Sequence, residues 1–139
     1  MIDSVLVPVD GSEMSKQALE YALEVYPDAE ITVLHVVGEP SAMGWKATTL
    51  ALSDDIEEAA EEQATEIFES AREMAADYGV EIETKTALGH PARAIVNHAA
   101  DYDTVVLGSH GGTVADRLVV GNVAQKVFRR SPVPVVTVR

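Results

Sequence analysis

The sequence predicts an α/β fold in one domain over residues 1–139: an open, mostly parallel, five-stranded sheet with helices on both faces. Strand-like and helix-like segments alternate along the chain and end with a strand. Residues 4–9 and 31–37 are continuous apolar runs, which are typical of strands buried on both faces. The chain is 47% hydrophobic but only 5% aromatic, so it has an aliphatic core and is not intrinsically disordered.

The first two strands and the helix between them are marked by their ends. Residues 4–9 form the first strand, and Ser12 is a candidate N-cap for the helix that follows. Apolar residues recur at helical spacing until Pro27 ends the helix. Residues 31–37 form the second strand, and the Gly- and Pro-containing residues 38–52 are predicted to form a loop.

A long helix is predicted to begin near Ser53. Apolar residues recur at helical spacing from Ile56 to Tyr78, and the acidic residues between them face solvent. Gly79 is placed to end this helix in a left-handed conformation. Residues 81–88 alternate between polar and apolar, so they predict a strand with one open face.

Four more elements complete the predicted order. A helix opens with Pro91 at its first position, and residues 104–107 form the fourth strand. The last helix is predicted over residues 123–128 and the terminal strand over residues 134–138.

The charge of the chain argues against a nucleic acid partner. The formal net charge is −13, so the surface repels nucleic acid phosphate and no nucleic acid partner is expected. Five basic residues and one acidic residue give residues 104–139 a charge of +4, and residues 1–103 carry the remaining −17. An anion would therefore bind in the last quarter. Such an excess of acid would also suit a high-salt cytoplasm, where ions screen the self-repulsion.

Other functions are excluded by what the sequence lacks. No apolar run approaches the roughly 18 residues of a membrane span, so we expect a cytoplasmic protein without a membrane partner. The absence of cysteine excludes disulfides, thiolate metal sites and cysteine nucleophiles. The histidines and carboxylates show no metal-ligand spacing, so no metal site made of protein side chains is predicted.

A candidate ligand site lies where parallel strands end. Ligands of open parallel sheets bind beyond the carboxyl ends of the strands, where the strand order reverses. Gly108, Gly111 and Gly112 directly follow the fourth strand and leave backbone amides uncovered for a phosphate. Gly121 precedes the last helix, whose N-terminus also favours phosphate. The alternative is that these glycines only permit tight turns.

The spacing Gly108-x-x-Gly111-x9-Gly121, opened by Gly-Ser-His-Gly, resembles the nucleotide-binding motif of the universal stress protein (UspA-like) family. The resemblance covers the whole chain. Four other segments match family positions in family order: Val7-Pro8-Val9-Asp10, Leu34-His35-Val36, Gly89-His90-Pro91 and Ser131-Pro132-Val133-Pro134-Val135. The resemblance implies a Rossmann-like fold of the adenine nucleotide alpha hydrolase-like type.

The resemblance also implies a binding site for ATP or another adenine nucleotide between the first and fourth strands. Asp10 would lie near the ribose or base, and the backbone of Val36 would face adenine. Mg²⁺ would sit on the phosphate oxygens. The implied binding residues are Pro8, Val9, Asp10, Val36, Leu107, Gly108, Ser109, His110, Gly111, Gly112, Gly121, Asn122, Val123 and Ala124.

Two positions depart from the ATP-binding pattern of the family. Asn122 stands where Ser or Thr is usual, and Ala124 lacks a hydroxyl that some members have nearby. Asn122 and Gln125 also have the spacing of a capping box, which needs no ligand. A scaffold that dimerises without binding nucleotide is therefore one alternative function.

No catalytic residue is predicted. No acidic partner adjoins His110 in the sequence, so it is interpreted as a residue of the binding loop. Arg117 either reaches the phosphates or is solvated, and His35, in an apolar strand, is interpreted as a satisfied core histidine. A slow ATP-hydrolysing enzyme remains an alternative, because bound Mg–triphosphate needs only a positioned water. A dedicated nucleotidyl-transfer or hydrolytic enzyme is disfavoured, because the chain has no His-x-Gly-His signature.

The terminal strand is rich in valine, and the family resemblance implies that it forms a homodimer. Val133, Val135, Val136 and Val138 would form an exposed pairing template if this strand lies at the sheet edge. The resemblance implies that the strand pairs with its mate across a twofold axis. The implied function is that of a cytoplasmic, dimeric stress-response sensor or switch whose protein partner is unknown.

Overall fold

The computed structural model describes residues 1–37, 49–109 and 121–139, with the backbone alone for residues 49–59. These residues form five strands and four helices in the predicted alternating order. The elements are β1 (Ser4–Pro8), α1 (Glu13–Val25), β2 (Glu30–Val37), α2 (Thr49–Asp77), β3 (Glu83–Leu88), α3 (Pro91–Ala99), β4 (Thr104–Gly108), α4 (Asn122–Arg130) and β5 (Val135–Val138).

The sheet has the order β3-β2-β1-β4-β5, and all four strand pairs are parallel. The first strand is therefore the central one, and Val5 pairs with Ile31 on one side and with Thr104 on the other. The chain moves outward from β1 to β2 and β3, then returns to the other side of β1 to add β4 and β5. The strand order reverses between β1 and β4, as the predicted crevice requires.

Helices cover both faces of the sheet, as predicted. On one face α1 and α2 pack on the core, and on the other face α3 and α4 do so. Successive residues of β1 point to opposite faces, so Val5 and Val7 join the first cluster and Leu6 joins the second. All three side chains are fully buried. This two-sided burial explains why β1 is a continuous apolar run.

The start of α2 differs from the prediction. The helix begins at Thr49 and not near Ser53, so residues 49–52 are helical and do not belong to a loop. Leu50, Ala51 and Leu52 are good helix formers, and no proline interrupts them, so nothing in their backbone opposes an earlier start. The rest of the predicted loop, residues 38–48, lies outside the described residues.

The end of α2 follows the prediction. Gly79 has φ +69°, a left-handed conformation. Its amide donates to the Ala76 carbonyl at 3.0 Å, and the Val80 amide donates to the Ala75 carbonyl at 2.9 Å. This pair of bonds is a Schellman motif, which satisfies two carbonyls that the helix end would otherwise leave unpaired.

Candidate functional site

The carboxyl ends of β1 and β4 lie side by side at the reversal of the strand order. Val9 and Asp10 follow β1 directly, while Ser109 follows β4. The amide of Gly121 donates to the Ser109 carbonyl at 2.6 Å, which brings the start of α4 to the end of β4. The structure therefore brings together three segments of the predicted site at the carboxyl ends of the strands: the end of β1, the end of β4 and the start of α4.

The β1–α1 turn is held by a local hydrogen-bond network. The Asp10 Oδ1 accepts the Ser12 amide at 2.9 Å, and Ser12 Oγ caps α1 by accepting the Ser15 amide at 3.3 Å. Ser15 Oγ donates to the Ser12 carbonyl at 2.9 Å and accepts the Asp10 amide at 3.3 Å. Gly11 has φ +84°, which a residue with a side chain rarely adopts. The exposed carboxylate of Asp10 is thus held with its second oxygen, Oδ2, free of this network.

Val9 is fixed by two neighbouring residues of β2. Its amide donates to the Leu34 carbonyl at 2.8 Å, and its carbonyl oxygen lies 3.0 Å from Nδ1 of His35. The imidazole is 6% exposed and packs edge-on against the ring of Phe68, with ring centroids 6.4 Å apart. The interpretation of His35 as a satisfied core histidine is confirmed.

The backbone of Val36 lies beside the end of β1. The Leu34 carbonyl bonds toward β1, while the Val37 carbonyl accepts the Gly89 amide on the β3 side at 3.0 Å. Peptide groups alternate between the two sides of a strand, so those of Val36 point toward β1 like those of Leu34. Because β1 ends at Pro8, opposite Leu34, no strand residue lies opposite Val36. Its peptide groups therefore face the predicted crevice.

The end of β4 has one glycine that the packing requires. A Cβ on Gly108 would lie 3.0 Å from the carbonyl carbon, carbonyl oxygen and Cβ of Met14 in the first turn of α1. This close approach explains Gly108 without a ligand. Leu107, the preceding residue, is buried in the core under α3 and α4.

Ser109 has a buried hydroxyl for which the described residues supply no hydrogen-bond partner. Its side chain is 1% exposed and its amide donates to the Val138 carbonyl at 2.8 Å, but no described residue bonds to its buried Oγ. A buried hydroxyl without a partner carries a desolvation penalty, and such groups in native proteins call for an explanation. A ligand with a polar atom at this position would provide the hydrogen-bond partner and so explain the buried hydroxyl.

The predicted capping box at Asn122 is wrong. Gly121 is the N-cap, because the Gln125 amide bonds to the Gly121 carbonyl at 3.0 Å and Asn122 is already the first helical residue. The bond from Gly121 to Ser109 holds Gly121 extended, with φ −67° and ψ 162°. No side chain of the described residues caps α4. Within residues 1–37, 49–109 and 121–139, the first amides of the helix are therefore without a side-chain acceptor.

The side chain of Ala124 faces the core and not the crevice. It is 2% exposed and belongs to the cluster under α3 and α4, whereas Asn122 and Val123 are exposed. The missing hydroxyl at Ala124 is thus explained by packing. What remains available to a ligand at this residue is its backbone amide.

Two features of the described residues bear on other kinds of site. No three His, Asp or Glu side chains among them are grouped so as to hold a metal ion. None of their helices combines the length and the low polarity that crossing a bilayer demands.

Four predicted site residues lie outside the described part of the chain: His110, Gly111, Gly112 and Arg117.

A comparison with protein families identifies the chain. The model of the universal stress protein family matches residues 1–139. The chain belongs to this family. The universal stress protein YxiE of Bacillus subtilis is 34% identical, with 100% of both chains covered.

Solved structures resemble this universal stress protein over nearly its whole length. The hypothetical protein MJ0577 matches with a TM-score of 0.83 and 27% identity, covering 99% of this chain and 96% of that one. A universal stress protein solved in complex with cAMP matches with a TM-score of 0.70 and 25% identity, covering 99% and 97% of the two chains. The predicted fold class is confirmed.

The structure adds a cavity that the sequence of this universal stress protein did not predict. It has a volume of about 310 Å³ and lies between the β1–α1 turn, α1 and α2. Val9, Asp10 and Lys16 line it from one side, and Glu66 and Ile67 line it from α2. The sequence shows polar residues of α2 at helical spacing on this face, but it does not show that α1 lies opposite them.

Proposed function

We propose that this universal stress protein binds an adenine nucleotide at the carboxyl edge of β1 and β4. The nucleotide is ATP, ADP or AMP, with Mg²⁺ on the phosphate oxygens. The protein acts in the cytoplasm as a dimeric sensor of stress, whose occupancy by nucleotide is the signal. The observation that carries the proposal is the N-terminus of α4, which no described side chain caps, beside the buried hydroxyl of Ser109, to which no described residue bonds.

The N-terminus of α4 forms the phosphate end of the proposed site. The amides of Asn122, Val123 and Ala124 have no side-chain acceptor in the described part of the chain, and the positive end of the helix dipole adds to their attraction for an anion. The Ser109 hydroxyl donates to the same group. Residues 104–139 carry a net +4 in a chain of −13, so this part of the molecule is the one suited to phosphate.

The ends of β1 and β2 form the adenosine end of the proposed site. Asp10 has its Oδ2 outside the turn network, where it can accept from a ribose hydroxyl or the adenine amino group. The Val36 peptide groups face the same crevice. Pro8, Val9, Leu107 and Gly108 form the strand ends between them, and we assign His110, Gly111, Gly112 and Arg117 to the phosphate side on the resemblance of their sequence to the family motif.

The complex of a universal stress protein with cAMP supports an adenine nucleotide in particular. That protein is 25% identical to this chain over almost its full length. The family resemblance of the glycine spacing supports the same class of ligand.

Asn122→Asp tests the phosphate end. A carboxylate in the first turn of α4 is favourable to the helix dipole, so we expect the free energy of unfolding to stay equal or rise by about 0.3–1 kcal/mol. The same charge repels the nucleotide phosphates, so we expect the dissociation constant for Mg·ATP to rise at least about tenfold. Isothermal titration calorimetry and urea unfolding measure the two quantities.

Asn97→Asp is the matched control, because it adds the same charge to an exposed position of α3. It should leave the affinity for Mg·ATP unchanged. If the natural protein does not bind Mg·ATP, ADP or AMP, the nucleotide site is disproved and the dimerising scaffold is the remaining function. Nucleotide turnover that survives purification and scales with protein concentration would instead favour the slow ATPase.

The dimer is proposed on the position of β5. This strand is at the edge of the sheet and pairs with β4 alone among the described strands. Val135, Val136 and Val138 on it, and Val133 before it, are only partly buried. Antiparallel pairing of two β5 edges across a twofold axis is self-complementary and would remove the open edge.

A further inference from the structure

The imidazole of His35 takes a place in the sheet that a backbone amide normally fills. Val9 lies one residue beyond β1, and its amide still bonds to the Leu34 carbonyl at 2.8 Å. In a continued parallel ladder the Val9 carbonyl would accept from the Val36 amide. It instead lies 3.0 Å from Nδ1 of His35. The side chain of β2 thus replaces the backbone of β2 as the donor.

The geometry defines the role of one ring nitrogen. A carbonyl oxygen only accepts, so Nδ1 carries the proton and donates to Val9. The ring is held in this orientation by burial and by the edge-on contact with Phe68 of α2, where the interplanar angle is 88°. A positioned donor of this kind can orient the segment to which it bonds.

Two parts of the proposed nucleotide site depend on this bond. It holds the peptide group between Val9 and Asp10, and so fixes the backbone position from which the Asp10 side chain extends. It also engages the carbonyl that the Val36 amide would reach in a continued ladder, and no described backbone group accepts from that amide. Without the imidazole, the Val9 carbonyl would turn to Val36 and close that amide to a ligand.

We propose that His35 is a positioning residue of the nucleotide site, whose Nδ1–H holds the Val9 carbonyl and thereby keeps the Val36 amide available to the adenine base. This inference rests on the proposed function. It assigns to a core histidine a role in the affinity of the adenosine end, although the histidine itself does not touch the nucleotide.

Two variants separate this role from simple packing. In His35→Asn the amide nitrogen stands at the place of Nδ1, so the donor is kept while much of the ring volume is lost. In His35→Leu the bulk is largely kept while the donor is lost. We expect the Leu variant to bind Mg·ATP about tenfold more weakly than the natural protein, and the Asn variant to stay within about threefold of it.

Stability and binding should therefore follow different orders. The Asn variant leaves a cavity beside Phe68 and should have the lower melting temperature, although it binds Mg·ATP better than the Leu variant. A purely structural role predicts that the variant with the lower melting temperature also binds more weakly. Equal affinity of the Leu variant and the natural protein for Mg·ATP would overturn the proposal.

Hydrogen exchange at the Val36 amide tests the same idea without nucleotide. The amide should exchange rapidly in the natural protein and in His35→Asn, and slowly in His35→Leu, where it bonds to the Val9 carbonyl. Identical exchange in all three proteins would contradict the role of His35. If the natural protein does not bind Mg·ATP but shows the expected hydrogen-exchange pattern, the nucleotide site is disproved. The role of His35 as the donor that replaces the Val36 amide would still hold.

Discussion

Asp103 joins the starts of two neighbouring strands at the centre of the sheet. Its carboxylate accepts the amide of Asp3 at 2.8 Å and that of Ser4 at 3.1 Å, just where β1 begins. Its own amide donates to the Ser4 carbonyl at 3.0 Å. The two backbone amides favour the ionised form, so they hold the pKa of Asp103 below its ordinary value of 3.8.

Asp103→Asn should make the free energy of unfolding depend less on pH in the acid range. Because the pKa is lower in the folded state, the carboxylate stabilises the fold above pH 3.8, and this stabilisation is lost as the pH falls through the folded-state value. Urea unfolding at a series of pH values above and below 3.8 measures the effect. Parallel pH profiles for the variant and the natural protein would contradict this role.

Gly108→Ala should destabilise the protein through a contact and not through backbone conformation. The new Cβ would lie 3.0 Å from the backbone of Met14, so α1 must move away from β4. We expect a loss of about 1–3 kcal/mol in the free energy of unfolding, as for overpacked cores. Chemical denaturation measures the loss.

Gly79→Ala is the comparison for that experiment. No atom lies within 4 Å of its Cβ position, but its φ of +69° disfavours any side chain. We expect a loss of about 1 kcal/mol from conformation alone. If Gly108→Ala is as stable as the natural protein, the close approach of α1 does not explain the glycine, and the nucleotide becomes its only explanation here.

At the scale of the elements, the two ends of β5 show which peptide groups face outward. The Pro134 carbonyl accepts the Val105 amide and the Val138 carbonyl accepts the Ser109 amide, so these residues face β4. Peptide groups alternate along a strand, so those of Val135 and Thr137 point away from the sheet. They are the groups that a second β5 would pair with.

Thr137→Pro should therefore convert the proposed dimer into a monomer. Proline removes an outward amide and leaves the bonds between β4 and β5 in place, although its fixed φ strains the strand somewhat. Thr137→Val keeps the amide and serves as control. Sedimentation equilibrium gives the mass, and far-ultraviolet circular dichroism checks the fold. A folded Thr137→Pro protein with the mass of a dimer would rule out pairing through this edge.

The limits of sequence-based prediction are clearest at two helix starts. For α4, Asn122 and Gln125 have the spacing of a capping box, but Gly121 takes the cap because its amide is bound to the Ser109 carbonyl. That bond joins residues on either side of a loop and has no local signature. For α2, Ser53 is a good cap residue, yet the helix begins at Thr49 because the residues before Ser53 also favour helix.

For the molecule as a whole, the sequence indicated the elements and the outer strands better than the strand order. Every residue of β3 is exposed or only partly buried, which suits an edge strand, although its polar and apolar residues do not alternate. β1, β2 and β4 are all apolar runs with buried interiors, so their sequences do not tell which is central. The bond from His35 to Val9 depends on that order, and sequence alone could not predict it.

β1 lies at the centre of the sheet, between β2 and β4. It is the first strand of this sheet to be synthesised, but one of its two neighbours, β4, is synthesised much later. Val5 meets Ile31 early in synthesis, but Thr104 on its other side leaves the ribosome much later, on the order of ten seconds at common translation rates. During that interval one side of an apolar strand has no partner. The nascent chain is therefore most open to wrong association, and most in need of a chaperone, while α2, β3 and α3 are being translated.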